Sequence, residues 1–104
     1  MENLTELFDS LAKRPQMYVS RVSFDTIRAF LGGLAVGLRC AGFEWMLDDH
    51  HAAATTRGWD ARGNIGIERE FIGQGLSDAE MVREFIAVEA DAYRRAIARI
   101  GKDA

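Results

Sequence analysis

The stretch from Lys13 to Gly42 constrains the fold most strongly, because a long amphipathic pattern follows a break at Pro15. Ser23 is a residue type that favours the N-cap position of a helix, and glycine favours the position just after the last turn. Between these two residues, apolar side chains recur at helical spacing: Ile27, Phe30, Leu31, Leu34 and Leu38. The stretch therefore predicts a helix that begins after Ser23 and ends before Gly42.

Three glycines, Gly32, Gly33 and Gly37, lie inside this predicted helix. Each costs roughly 1 kcal/mol relative to alanine in a helix interior. A helix with such a cost is typically held by tertiary contacts, so we expect another element to press against the glycine face. The helix is therefore the expected centre of the fold. The alternative use of the same face is self-association, which would make the protein a homodimer.

In a capping box, the side chains of a cap residue and of a glutamate three positions later each accept a hydrogen bond from the other residue's backbone amide. Two such pairs predict the starts of two further helices. Asn3 and Glu6 open the first, which is expected to end at Pro15 because the residue before a proline avoids helical angles. Ser77 and Glu80 open the last, which is expected to run from about residue 78 to residue 100. Its apolar stripe consists of Val82, Phe85, Ile86, Tyr93, Ile97 and Ile100.

The segments on either side of the central helix are shorter. Residues 16–22 alternate loosely between apolar and polar, which predicts an extended connector that packs through Met17 and Tyr18. The apolar run at residues 43–47 predicts one or two helical turns that close over the core. Arg14 and Tyr18 have two interpretations. In the structural one, they pack at the end of the first helix. In the functional one, they form a surface that recognises a binding partner.

The middle of the chain, residues 48–75, contains five glycines, so no long regular helix is favoured there. A turn at residues 60–63 followed by a strand over 64–71 is one interpretation. An imperfect helix over 59–72 that buries Trp59, Ile65 and Ile72 is the other. The fold class that we predict is mainly α: a compact single domain, residues 1–104, with two long and two shorter helices and an irregular glycine-rich middle, where one short hairpin is the alternative.

Charge and composition argue against several classes of protein. The net charge of −3 at pH 7 argues against non-specific nucleic-acid binding, which needs a basic face. The N-terminus has no basic region of a signal peptide, and no apolar run approaches the roughly 20 residues of a membrane span. A lone cysteine, Cys40, allows no internal disulfide, and we expect it to be half-buried in a packing role. These features predict a cytoplasmic protein.

One polar cluster could form a reactive site. If a helix continued from Glu44, then Glu44, Asp48 and His51 would share a face at i, i+4 and i+7, where carboxylate and imidazole ligands could hold a divalent metal for a hydrolase. The other interpretation is a solvated loop that contains His50 and His51, since the HExxH arrangement of zinc enzymes is absent. Cys40 has no histidine partner fixed by the sequence, and no GxSxG motif is present. We therefore expect a non-enzymatic protein without catalytic residues, metal or cofactor.

Aromatic residues have two interpretations as well. Trp45, Trp59 and Tyr93 could stack on a ligand, although aromatic side chains at helical spacing are more often part of a core.

Short motifs along most of the chain carry a resemblance to a known family. They are RPQMY at residues 14–18, Phe30-Leu31-x-Gly33, a tryptophan in the middle at Trp59, and aromatics near a glutamate between Phe85 and Tyr93. This pattern resembles small bacterial immunity proteins of polymorphic-toxin and contact-dependent growth-inhibition systems. The segment KRPQMYVS is also similar to a signature of type II topoisomerase ATPase domains, but the chain is too short for that domain and we interpret the similarity as coincidence.

The immunity resemblance implies stoichiometric binding without turnover. The partner would be a cognate protein toxin, often a basic nuclease, whose active site is covered by an acidic face of the immunity protein. Charge complementarity would speed the encounter of the two proteins. We place this face on the acidic residues around the irregular middle, which are Asp48, Asp49, Asp60, Glu68 and Glu70.

Overall fold

The computed structural model describes residues 2–60 and 66–103. Within these ranges the chain forms five α-helices and one short 3-10 helix, and no strand. The α-helices are α1 (Glu2–Lys13), α2 (Phe24–Cys40), α3 (Leu47–Thr56), α4 (Gly66–Gly73) and α5 (Asp78–Asp103), and the 3-10 helix spans Pro15–Met17. The radius of gyration is 13.4 Å, close to the value of about 13 Å typical of a folded chain of this size. The predicted mainly α, compact fold is confirmed.

The centre of the fold is α5, and the expectation that α2 would hold this place is wrong. Helices α1, α2 and α3 all pack against α5. Small residues allow the close approach, since Ala92 and Ala96 of α5 and Ala53 and Ala54 of α3 are fully buried. A helix that contacts three others needs apolar residues around much of its circumference, and α5 has them.

An aromatic cluster fills the core where α2, α4 and α5 meet. Phe24 packs edge-on against Phe71, with ring centroids 6.2 Å apart, and against Phe85 at 5.4 Å. Such edge-to-face pairs contribute about 0.5–1.5 kcal/mol each beyond the area they bury. The N-terminus of α2 is fixed to the same region, because the Phe24 amide donates to the Asp78 carboxylate at 3.0 Å.

Both ends of α2 follow the sequence prediction. The Ser23 hydroxyl accepts from the Thr26 amide at 3.2 Å, and the Thr26 hydroxyl accepts from the Ser23 amide at 3.0 Å, which completes a capping box. At the other end Gly42 adopts a φ of +89°, a conformation that disfavours residues with a Cβ. The Phe43 amide then donates to the Leu38 carbonyl at 2.8 Å, which closes a Schellman motif.

The glycine face of α2 is open, so the prediction that another element presses against it is wrong. Gly32, Gly33 and Gly37 are exposed, and a Cβ added at any of them would meet nothing within 4 Å. Val36 on the same side is 51% exposed, and Cys40 is exposed rather than half-buried. The buried face of α2 is the opposite one, on Phe24, Ile27 and Leu31, and these contacts hold the helix against α5 and α4.

The first helix ends as predicted but does not begin as predicted. Asn3 lies inside α1 rather than at its cap, whereas the helix ends at Lys13, before Pro15. The connector contains a 3-10 turn instead of an extended segment, and Met17 is 70% exposed. Tyr18 does pack inward: its hydroxyl donates to the Ser10 hydroxyl at 2.8 Å, and its ring lies 5.6 Å from that of Phe30.

The middle of the chain is more regular than the glycines suggested. Residues 43–46 are not helical, and α3 forms over residues where a loop was expected. The strand interpretation is wrong for residues 66–71, which are helical, while Ile65 and most of the predicted turn lie outside the described residues. The helical interpretation is confirmed only for α4, which buries Ile67 and Phe71 and leaves Ile72 62% exposed.

The capping box of the last helix is confirmed. The Ser77 amide donates to the Glu80 carboxylate at 2.9 Å, and the Glu80 amide donates to the Ser77 hydroxyl at 3.2 Å. These hydrogen bonds to Ser77 lower the pKa of Glu80. None of the helices in the described part of the chain is both long and apolar enough to span a membrane.

Candidate functional site

The most unusual group in the core is the carboxyl of Glu89. It lies on the apolar stripe of α5, four residues after Phe85 and four before Tyr93, and is only 6% exposed. Glutamate is almost never buried without a partner. Glu89 and its neighbours Trp45, His50 and Tyr93 form what we call the Glu89 cluster.

Two side chains contact the carboxylate oxygens. The Trp45 indole N–H donates to Oε2 of Glu89 at 3.2 Å, and Nε2 of His50 lies 3.7 Å from Oε1. The Trp45 and His50 rings stack on each other, with centroids 4.9 Å apart and planes at 26°. The carboxyl is therefore held between an indole and an imidazole that also support each other.

The turn at the end of α2 positions these partners. After Gly42 the chain reverses, and the Phe43 ring stacks on Tyr93 at 6.0 Å, which lays the following residues along α5. The Met46 amide donates to the Asp49 carboxylate at 2.8 Å at the start of α3. Asp49 also accepts from Arg99 of α5 at 2.9 Å, so α3 is docked with His50 facing Glu89.

Burial controls the electrostatics of the cluster. It raises the pKa of Glu89 from 4.5 to about 7, against the opposing effect of the Trp45 hydrogen bond. Burial also lowers the pKa of His50, and the neighbouring His51 adds to this effect. The pKa of Tyr93 rises to about 12 through burial and then through the negative charge of Glu89. Glu89 therefore titrates close to neutral pH, whereas burial favours the neutral form of His50.

Asp49 behaves in the opposite way. Burial alone would raise its pKa, but the hydrogen bond from Arg99, the Met46 amide and the charges of Arg99 and Arg95 together lower it. It stays ionised at neutral pH as half of an ion pair.

A cavity of about 270 Å³ lies beside the Glu89 cluster, and we call it the α2–α5 cavity. Its walls are Ala35, Val36, Arg39, Glu44, Trp45 and Tyr93. Glu89 and His50 are behind Trp45 and do not form part of these walls. A molecule in the cavity would touch the rings of Trp45 and Tyr93 but not Glu89 or His50, so neither of these two groups is placed to exchange a proton with it.

The structure does not bring the predicted acidic residues into one continuous group. Asp49 is paired with Arg99, and Glu68 is paired with Arg28, so both charges are compensated within the molecule. Asp48 is exposed in the first turn of α3. Asp60 and Glu70 lie at a different place, where they share one hollow.

This hollow, which we call the Trp59 hollow, is open and has a volume of about 450 Å³. Its walls are Thr55, Gly58, Trp59, Asp60 and Glu70. The Trp59 ring packs edge-on against Phe71 at 4.9 Å, and its buried indole nitrogen has no hydrogen-bond partner. Glu70 makes no ion pair with any residue of the described ranges. A half-buried tryptophan flanked by carboxylates is thus presented to solvent.

The geometry of the metal hypothesis is not realised. Since α3 begins at Leu47, Glu44 lies outside it, and the predicted helical spacing of Glu44, Asp48 and His51 is wrong. Across residues 2–60 and 66–103, no three histidine, cysteine or acidic side chains form a group that could hold a metal ion.

Sequence reasoning missed the Glu89 cluster, although a signal was present. The apolar stripe of the last helix runs through Phe85 and Ile86 and continues at Tyr93 and Ile97, and Glu89 is the single acidic residue in register between them. A charged residue at a core position of an amphipathic helix is the sequence signature of a buried ionisable group. Trp45, Trp59 and Tyr93 all pack against or within the core, in agreement with the structural interpretation, but each also lines an open cavity or hollow.

In the described parts of the chain, fold and site together define a small helical domain with a buried ionisable cluster, the α2–α5 cavity and the Trp59 hollow. Comparison with known protein families, with characterised proteins and with solved structures finds no match for the chain.

Proposed function

We propose that the protein is a non-enzymatic binding protein of the bacterial immunity type, which acts in the cytoplasm by covering a basic toxin domain. The proposal rests on the resemblance in the sequence motifs and on one observation, the Trp59 hollow. Tryptophan is strongly enriched among residues that dominate binding energy, particularly when less important contacts surround it. The hollow combines such a residue with the carboxylates of Asp60 and Glu70.

Electrostatics favours a basic partner. The net charge of −3 gives long-range attraction to a cationic protein, and the carboxylates at the hollow would orient it. Asp48 would extend the acidic surface at the other end of α3, whereas Asp49 and Glu68 would contribute mainly through their ion pairs, which fix α3 and α4. Binding at the hollow would thus use a rigid aromatic anchor and a charged rim.

Co-purification with the product of the adjacent gene tests the proposal. The two proteins are expected to elute together in a 1:1 complex that weakens as salt is added, since screening reduces charge attraction. The Glu70→Lys variant, which reverses one charge at the hollow, is expected to weaken binding about tenfold, equivalent to about 1.4 kcal/mol. Glu6→Lys makes the same charge change on the exposed surface of α1 and serves as the matched control. Equal binding by both variants, or no complex with the wild type, would contradict the proposal.

A self-associating helical module is the second candidate, and one observation favours it. The glycine face of α2 is exposed and unfilled, so the helix-destabilising glycines have no packing role inside the molecule. Contact with a second copy of the chain would give these glycines a packing role. Sedimentation at high micromolar concentration is expected to show a dimer if this candidate is correct, and a monomer would eliminate it.

A further inference from the structure

The α2–α5 cavity has the size and chemistry of a small-molecule site. Its volume of about 270 Å³ lies just below the range of about 300–1,000 Å³ in which drug-sized ligands bind. An occupant would therefore be smaller than a typical drug molecule. Two aromatic residues, Trp45 and Tyr93, and two aliphatic ones, Ala35 and Val36, form most of the wall.

Tyr93 supplies a polar group at this site. The residue is only 2% exposed, and its hydroxyl interacts with the side chain of Trp45, its neighbour in the cavity wall. Buried tyrosine hydroxyls usually find a partner. Burial and the carboxylates of Glu89 and Glu44 raise the pKa of Tyr93, and the hydrogen bond with the Trp45 side chain opposes this rise. Tyr93 therefore forms the wall together with Trp45, and the charged groups of the cavity are those of Arg39 and Glu44.

Charges of both signs line the cavity. Arg39 projects from the last turn of α2 and Glu44 from the connector to α3, and neither makes an ion pair within the described parts of the chain. A purely anionic ligand would be attracted by Arg39 but repelled by Glu44. A purely cationic ligand would be attracted by Glu44 but repelled by Arg39. Only a ligand that carries both charges gains from both residues.

The aromatic wall gives the ligand an orientation. The Trp45 N–H donates to the Glu89 carboxylate, which makes the indole ring richer in electrons and its surface more attractive to a cation. His50 covers one face of the ring without lining the cavity, so the ligand meets the part of the indole that His50 leaves open. An ammonium group would lie near Glu44 and Trp45, and a carboxylate near Arg39.

We propose that the α2–α5 cavity binds a free α-amino acid with an apolar side chain. The carboxylate pairs with Arg39, the ammonium group pairs with Glu44 against the Trp45 ring, and the side chain packs on Ala35 and Val36. This inference is separate from the toxin-binding proposal, because it concerns a different depression on the molecule and a different class of ligand.

Tryptophan NMR signals provide the test, since the protein contains two tryptophans. L-leucine and L-phenylalanine are titrated into the ¹⁵N-labelled protein, and the indole N–H signals are followed. We expect a saturable shift of the Trp45 signal, with the Trp59 signal unmoved as an internal control. N-acetyl-phenylalanine and phenylalanine amide, which each lack one charge, are expected to bind about tenfold more weakly.

Variants at the two exposed charges complete the test. Arg39→Gln and Glu44→Gln should each weaken binding about tenfold without disturbing the fold, while Glu6→Gln should leave it unchanged. No saturable shift of the Trp45 signal up to about 10 mM amino acid, an affinity worth under about 3 kcal/mol, would overturn the inference. Equal binding of the free and blocked amino acids, or unchanged affinity in both charge variants, would overturn it as well.

Discussion

Replacing Glu89 with glutamine is expected to stabilise the protein at and above neutral pH. Glutamine has nearly the same shape, and its amide oxygen can accept the Trp45 hydrogen bond that the carboxylate now accepts at 3.2 Å. It cannot ionise, so the variant never places a negative charge in a site that is only 6% exposed. Removing a buried charge while keeping its hydrogen bond is one of the few core substitutions expected to increase stability.

The magnitude follows from the pKa of the carboxyl. Burial raises the pKa of Glu89 from 4.5 to about 7. At about 1.36 kcal/mol per pH unit, this difference corresponds to about 3 kcal/mol of folding free energy. The folded protein binds this proton more tightly than the unfolded chain does. The stabilisation is therefore complete below about pH 4.5, declines as the pH rises, and is lost above about pH 7. The lowered pKa of His50 favours a neutral imidazole where Glu89 is ionised, so this group, 3.7 Å from the carboxylate, does not supply a positive charge that offsets the loss.

Urea unfolding followed by circular dichroism between about pH 4.5 and 8 measures this effect. Glu89→Gln is expected to exceed the wild type by up to about 3 kcal/mol at about pH 8, and the difference is expected to shrink towards zero near pH 4.5. Glu6→Gln, at an exposed position on α1, should differ from the wild type by less than about 0.5 kcal/mol throughout. A Glu89→Gln variant that is less stable than the wild type at pH 8, or a difference that does not depend on pH, would refute the reasoning.

Five further substitutions test the fold by the same unfolding measurement. Gly37→Ala should stabilise the protein by up to about 1 kcal/mol, because a Cβ there meets nothing within 4 Å. A destabilised Gly37→Ala variant would mean that the glycine face is packed after all. Gly42→Ala should destabilise the protein by about 1–2 kcal/mol, because φ at this position is +89°. Phe71→Ala should cost about 3–5 kcal/mol, and its exposed neighbour Ile72→Ala less than about 0.5 kcal/mol; similar losses at both positions would contradict the orientation of α4. Ser77→Ala should cost about 1 kcal/mol through loss of the α5 capping box, and an unchanged unfolding midpoint would show that the cap is dispensable.

The parts of the fold that could be predicted from the sequence depend on short-range rules. Ser23 caps α2 through a residue three positions away, Gly42 ends it through its own φ, and Pro15 follows the end of α1. The Ser77 capping box is equally local. In each case the interacting groups are close in the chain, so the residue types alone predict the geometry.

The parts that could not be predicted depend on contacts between distant residues. Helix α3 was not predicted, because its alanines and paired acidic and histidine residues show weak periodicity, and it is held by packing of Ala53 and Ala54 on α5. Helix α5 lies at the centre because α1, α2 and α3 all pack against it. Neither fact is visible in a window of ten or fifteen residues.

In the candidate sites, too, the residue types could be predicted from the sequence, but the contacts between distant residues could not. Acidic residues around the middle of the chain could be identified from composition, but the pairing of Glu68 with Arg28 and of Asp49 with Arg99 could not, since these partners are 40 and 50 residues apart. Glu70 has no such pair among the described residues, and it lies beside Trp59 at the Trp59 hollow.

A survival assay tests the proposed function most directly. The candidate toxin domain, which the proposal expects the adjacent gene to encode, is expressed in cells with or without co-expression of this protein. The proposal predicts that the domain stops growth when it is expressed alone and that co-expression restores growth. Glu70→Lys is expected to protect less well than Glu6→Lys, since only the former changes the Trp59 hollow. Growth arrest that is unaffected by co-expression would contradict the proposal.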